Sequence, residues 1–465
     1  MVDTIIRNGL LISSDGRRSA SIGIEAERVA GIYEPGTEPE ANEVIDASGL
    51  AILPGGIDMH SHHRQGAKSG GYEYKETIES ATNQCAAGGI TTSVAMPNVV
   101  PPPNSLERLE DLLRVYERCA VVDYSINPAG TVMEEIPKLA KTGIAAFKIF
   151  MVVDTGRDYP HMPGIGMHDH GQIMEAMELC AAADVPLMIH PHDQALMDHI
   201  EKAYWDRGEH DALAYAKAYS AHDGVIWDTA IATLLRLQKA TGVHLHLLHI
   251  QTAGSVKLIR EAKANGQKVT CEINPWALFL GNDWSAIERL GSYALSYYVP
   301  EKNTPYLWEA LNDGTIDIFA SDHAPHTAEE KEIGWTDGWK AHTGTPSTQY
   351  YMRFLVDAAA NGKISLERVA EITSTAPSEI FRLGDKGHIE AGYHADLVLY
   401  DLEAESEVRD EDLLGLIGWS PYAGLKTRGV PVRTIVRGNT VFVDGKVVAK
   451  AGDGKFATAR RATGS

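Results

Sequence analysis

Apolar, β-branched runs recur along the middle of the chain, each ending in polar residues, with stretches of helical apolar spacing between them. Eight stand out: ILPGGIDMH at 52–60, TTSVAMPN at 91–98, VVDYSINP at 121–128, AAFKIFM at 145–151, PLMIHPH at 186–192, HLHLLHI at 244–250, KVTCEINP at 268–275 and IDIFASDH at 316–323. Segments such as SLERLEDLLRVYERC and WDTAIATLLRLQKATG separate them, several closing on glycine as helix C-termini prefer. Such alternation implies a parallel sheet. Eight units predict an α/β fold, a (β/α)8 TIM barrel spanning 53–384. Residues 1–52 and 385–450 read as short strands and turns, so a small composite β-sandwich built from both termini is expected. The small, polar stretch 451–465 reads as a mobile C-terminal tail or an arm onto a neighbouring subunit.

The polar residues gather at the C-terminal ends of the runs: His60, Asn98, Lys148, His190, His249, Asn274 and Asp322. A barrel of this kind carries its active site on that face. One such residue would ordinarily be a hydrogen-bonded strand end; seven converging residues point to chemistry.

Composition narrows the chemistry. Over 465 residues, 42 basic against 63 acidic side chains leave a net charge of −21, which disfavours nucleic acid as a partner. The N-terminus has no basic stretch leading into an apolar one, and no apolar run approaches the ~18 residues of a membrane span, so a soluble, cytoplasmic protein is expected. The 4 cysteines form no CxxC pair, which argues against a disulfide framework and against a thiolate metal site. Histidine is the outlier, with 19 copies, several bunched as HSHH, MHDH, IHPH, HLHLLH and SDHAPH.

His60 and His62 are two positions apart, so on a strand both face the same way and can share one ion. His190 and His249 add two imidazoles and Asp322 a carboxylate, a donor set that suits Zn, Mn or Fe. Two divalent ions would carry too much charge for one carboxylate, so a bridging anion is expected. Lys148 is the odd residue there: carboxylated by CO2 it becomes such an anion, and unmodified it is a solvated or substrate-pairing cation. His63 and His192 adjoin ligands, His323 reads as a neighbour supporting Asp322, and His244 and His246 read as packing or hydrogen-bonding residues. His161, His168 and His170 lie in a glycine- and proline-containing segment suited to a loop over the site.

The ordered motifs GGIDMHSH, AFKIF, IHPH, LLHIQ and SDHAPH resemble the cyclic amidohydrolases of the amidohydrolase superfamily: dihydroorotase, allantoinase, hydantoinase and dihydropyrimidinase. The resemblance implies that His60 and His62 bind one metal, that His190 and His249 bind a second, and that carboxylated Lys148 bridges the two. Asp322 would ligate the first metal and shuttle the proton as a metal-bridging hydroxide attacks a ring carbonyl of a cyclic amide, imide or ureide. Arg64 in HSHHR and Asn98 in AMPN resemble the dihydroorotase residues that grip a substrate carboxylate, with Asn274 and His326 as further substrate-binding positions. Val153 stands where hydantoinases and dihydropyrimidinases carry a tyrosine, and Trp276 and Ala277 where dihydroorotases tend to carry histidines. A homodimer or homotetramer is also implied.

Overall fold

The run at 52–60 is two strands in the computed structural model, which describes residues 1–152, 164–294, 298–300 and 302–460. Ala51–Pro54 pairs with strands from the two ends of the chain, whereas Gly56–Ser61 opens a parallel set. The break falls at Gly55, where a Cβ would meet Thr91 Cγ2 at 2.2 Å. Glycine lets the backbone pass that close as it moves from one sheet into the other.

Among the described residues, eight strands follow in parallel: β1 (Gly56–Ser61), β2 (Ile90–Ala95), β3 (Asp123–Ile126), β4 (Phe147–Phe150), β5 (Leu187–His190), β6 (Leu245–Leu247), β7 (Val269–Ile273) and β8 (Ile318–Phe319). They make a three-stranded sheet, β1-β2-β3, and a five-stranded sheet, β8-β7-β6-β5-β4. Single parallel bridges tie the sheet edges together, Ala129 to Lys148 and Ser61 to His323. The strands are shorter than the apolar runs because several polar residues at the run ends leave the ladder. Asn98, His249, Asn274 and Asp322 all lie just beyond their strands.

The connecting helices form where the spacing places them, and their ends are capped. Thr77 closes a capping box at the start of Ile78–Gly88, and Ser105 accepts from Arg108 N at the start of Leu106–Cys119. Gly89 takes the left-handed conformation that ends the first of these, at φ 83°. Their apolar faces bury Ile78, Leu112, Ile173, Leu234 and Ile259 in one core with Ile149, Ile189, Leu247 and Ile273 from the strands. Each such side chain contributes about 1.5–3 kcal/mol on leaving water.

Among the described residues, both ends of the chain meet in a nine-stranded sheet. Strands between Val2 and Pro54 join those between Leu397 and Val447 where Ala51–Pro54 pairs antiparallel with Leu397–Tyr400.

The tail differs from its expectation over 451–460. It runs along its own chain, with Tyr124 N donating to Lys455 O at 3.0 Å, Ala457 N to Tyr124 O at 2.7 Å and Ala459 N to Gly143 O at 2.8 Å. Its small residues, which suggested mobility, permit this approach: a Cβ on Gly454 would meet Val122 O at 2.0 Å. Residues 461–465 lie outside the described residues.

Asp123 on β3 fastens these parts. Its buried carboxylate accepts from Lys386 Nζ and Arg437 Nε, each at 2.7 Å, and from Lys455 N at 2.8 Å. Burial alone would raise its pKa, but Lys386 and then Arg437 hold it below the ordinary value. The stability it contributes is therefore present above about pH 4 and lost as the pH falls toward the lowered value. Asp123→Asn is expected to cost about 3 kcal/mol, because it removes the anion shared by Lys386 and Arg437, leaving buried Lys386 to Asp396 alone and partly buried Arg437 without its 2.7 Å partner. Urea unfolding at neutral pH checks this; a midpoint equal to that of the parent would refute it.

Candidate metal-binding active site

The chain leaves β1 through Ser61, and His62 N then donates to His323 O at 2.7 Å, which brings the β1 end against the residues after β8. His60 Nε2 stands 3.1 Å and His62 Nε2 3.5 Å from the same oxygen, Asp322 Oδ1. On the neighbouring β5 and β6 ends, His249 Nε2 lies 3.0 Å from His190 Nδ1. Two donors held 2.0–2.1 Å from one tetrahedral ion stand about 3.3 Å apart, so both groups fit shared ligation. The ring centroids of His60 and His249 are 6.0 Å apart, which sets the groups side by side.

Two of these residues adopt strained backbone. Asp322 has φ 46° and His249 φ 37°, and Arg64 beside them has φ 59°. Left-handed backbone at non-glycine residues costs of order 1–3 kcal/mol each and persists where the surroundings impose it.

Lys148 lies on β4, fully buried, its Nζ 4.1 Å from the Phe150 ring centre and without a hydrogen-bond partner among the described residues. Burial pushes its pKa down to about 7. An orphaned buried ammonium is costly, whereas the neutral amine is the form that adds CO2. The donor set and this lysine thus fit a pair of divalent ions. Burial lowers the His62 and His249 imidazoles well below the ordinary value, leaving these two rings neutral as ligating imidazoles must be, and it raises the Asp322 carboxyl.

Sequence reading missed Glu272. Its Oε1 is 2.5 Å from His60 Nδ1 and its Oε2 3.4 Å from His246 Nε2, all fully buried. A carboxylate on Nδ1 fixes the His60 tautomer and leaves Nε2 to face Asp322. The signal was available: Glu272 alternates with Asn274 along the same run, so the two share a face. Gln251, 3.4 Å from His249 Nδ1, and Trp227, edge-on to His190 and His249, also escaped notice.

The remaining expected residues divide. Arg64 and His326 come together, Nη2 to Nε2 at 3.1 Å. Asn274 caps the helix Pro275–Phe279 through Ala277 N and donates to Asp322 Oδ2 at 3.3 Å, so its side chain holds the carboxylate. Asn98 is half-buried, and its Oδ1 has no partner among the described residues. His323 turns away toward Glu76, at 2.9 Å, and His63 bonds Tyr116 and Ser93, each at 2.9 Å. His246 serves as a structural hydrogen bonder, as its depth in the strand suggests. Val153 and His161 lie outside the described residues.

A buried His/Asp/Lys constellation at the ends of parallel strands offers the donor set on which a metal-dependent hydrolase can be built. Residues 51–441 match the amidohydrolase family, and the chain belongs to it. It is 31% identical to an L-hydantoinase of Paenarthrobacter aurescens over 99% of both chains. It is 32% identical to a dihydroorotase of Halobacterium salinarum over 97% of this chain and 99% of that one. Among solved structures, the L-hydantoinase (dihydropyrimidinase) from Arthrobacter aurescens superposes with a TM-score of 0.92 at 30% identity, covering 98% of this chain and 100% of the other. The family places the chain in the cyclic amidohydrolase group, whose members are hydrolases of cyclic amides.

Proposed function

We propose that this protein is a binuclear metal-dependent hydrolase that opens a cyclic amide, imide or ureide ring to a ring-opened acid. The observation that carries this reading is the pairing of His60, His62 and Asp322 beside His190 and His249, with buried Lys148 on the adjoining strand lacking a hydrogen-bond partner among the described residues. His60, His62 and Asp322 would hold one ion and His190 and His249 the other, with Lys148 as a carbamate between them. Zinc is the favoured metal, with manganese or iron as alternatives. Divalent ions held there would bring a water's pKa toward neutrality and polarise the ring carbonyl. Asp322 is the residue placed to take a proton from the attacking water and return it to the leaving ring nitrogen. Asn274 holds its second oxygen, and Glu272 holds the histidine beside it.

The same reading takes the two parallel sheets as the wall of one (β/α)8 barrel over 53–384, and the nine-stranded sheet as a β-sandwich domain of 1–52 with 385–450. It also takes the protein to be cytoplasmic; no helix among the described residues is long and apolar enough to cross a membrane. A homodimer or homotetramer is favoured by exposed apolar residues such as Leu416 and Trp335, and light scattering reads the assembly directly.

A second, narrower reading is a dihydroorotase, favoured by Arg64 standing buried against His326 near Asp322, where a guanidinium can bind a carboxylate. A turnover screen with the metal-loaded protein over dihydroorotate, allantoin, hydantoins, dihydrouracil and cyclic imides tests both. Hydrolysis of at least one ring, lost on chelation and restored by zinc or manganese, is the expected result. Full activity in a chelated, metal-free protein would end the first reading. Dihydroorotate turnover indifferent to Arg64→Ala would end the second.

A further inference from the structure

His326 stands between two groups that can only donate. Its Nε2 is 3.1 Å from Arg64 Nη2, and its Nδ1 is 3.2 Å from Lys75 Nζ. Neither a guanidinium nor an ammonium has a lone pair to offer, and a neutral imidazole has one N–H and one acceptor nitrogen. Burial, then the Arg64 charge, hold the His326 pKa well below the ordinary value, so the ring is neutral. Both contacts therefore cannot be hydrogen bonds in one tautomer.

A third neighbour offers Nδ1 an acceptor. Glu330 Oε2 lies 3.4 Å from His326 Nδ1. That carboxylate is fixed by Lys75 Nζ at 2.6 Å and the Tyr74 hydroxyl at 2.7 Å on Oε1, and by Thr327 N at 3.1 Å on Oε2. His326, Glu330 and His342 present atoms close enough to ligate a metal. However, the Lys75 ammonium is within 3.4 Å of all three, so a side chain already takes the place of a cation there.

Two arrangements satisfy the geometry. In the first, Nδ1–H donates to Glu330 and Nε2 accepts from Arg64. In the second, Nδ1 accepts from Lys75 and Nε2–H is left to donate to an acceptor that Arg64 also binds. We propose that Lys75 and Glu330 are positioning residues that set the tautomer of His326, so that a carboxylate arriving at Arg64 converts His326 from an acceptor of the guanidinium into a second donor to the anion. The proton count is unchanged: Nδ1 gives one proton to water and Nε2 takes one from it. Lys75 then satisfies the nitrogen that has become an acceptor.

This deepens the second, carboxylate-binding reading of the site, yet its test needs no turnover. The full-length, metal-loaded protein is labelled with 15N-histidine, and the His326 signals are identified by their loss in His326→Asn. The probes are orotate, an unreactive ring with a carboxylate, and uracil, its neutral counterpart, with affinities from calorimetry. The expected result is Nδ1–H in the free protein, Nε2–H with orotate and Nδ1–H with uracil. Lys75→Met should keep the proton on Nδ1 and bind orotate about tenfold more weakly, the value of one hydrogen bond to a charged group. Glu330→Gln should place it on Nε2 before any ligand, because Lys75 and Tyr74 claim the amide oxygen and turn its NH2 toward Nδ1. An unchanged tautomer with orotate in the parent protein overturns the proposal, as does no orotate binding, or Lys75→Met binding orotate as tightly as the parent. The parent spectra decide the matter even where a variant fails to fold. If the tautomer shifts but dihydroorotate is not hydrolysed, the dihydroorotase reading falls and this one stands.

Discussion

Replacing Asp322 with asparagine is expected to lower kcat by about 10³- to 10⁴-fold, the scale of a lost proton-transferring group. The substitution preserves size and leaves the amide able to meet Asn274, which donates to Oδ2 at 3.3 Å in the parent. It removes the carboxylate that, among the described residues, faces both His60 and His62. An amide can neither take a proton from water at neutral pH nor hand one to a leaving nitrogen. Metal content measured beside the rate separates the two roles of the residue. A variant that keeps both ions and loses the rate has lost the shuttle, and one that loses an ion has lost a ligand as well. A kcat within tenfold of the parent would remove Asp322 from the chemistry altogether.

The second large effect is expected at Lys148. Methionine fills the same apolar volume over Phe150 and removes a buried amine that has no hydrogen-bond partner among the described residues, so the fold should survive. What the proposed mechanism would lose is the carbamate that Lys148 would place between two ions. Metal content should fall from two ions per chain to one or fewer. The rate should fall by about 10³-fold, which corresponds to several kcal/mol of charge stabilisation at the reacting carbonyl. Native mass spectrometry should find one added CO2 on the parent protein, absent from the variant. A methionine variant holding two ions at full rate would show that Lys148 has another purpose.

How the site could be read from the sequence depended on the span over which each residue's partners lie. His60 and His62 announce themselves because alternation on a strand puts both on one face. His190, His249 and Asp322 announce themselves by ending apolar runs. Glu272 was legible by the same rule, two positions before Asn274, and was passed over because a carboxylate inside a strand has no meaning until its partner is known. That partner is His60, 212 positions away in the chain. Lys75 carried no signal at all, since its place between His326 and Glu330 is set by a loop crossing more than 250 residues of intervening chain. The tail misled for a different reason. Small residues mark both flexible ends and close backbone contacts, and only the carbonyls of Ala120 and Val122 reveal which applies here.

By itself, then, the sequence determined the alternation of strands and helices and the polar side chains that gather at the strand ends. All of these follow from local periodicity and from residue types that have few other uses in a buried strand end. The tertiary structure alone decided that one run splits at Gly55, that residues 451–460 lie along β3, that Asn274 holds Asp322, and which charged groups surround Arg64. These depend on distances between segments remote in the chain, where packing and the satisfaction of buried polar groups settle what short-range pattern leaves open.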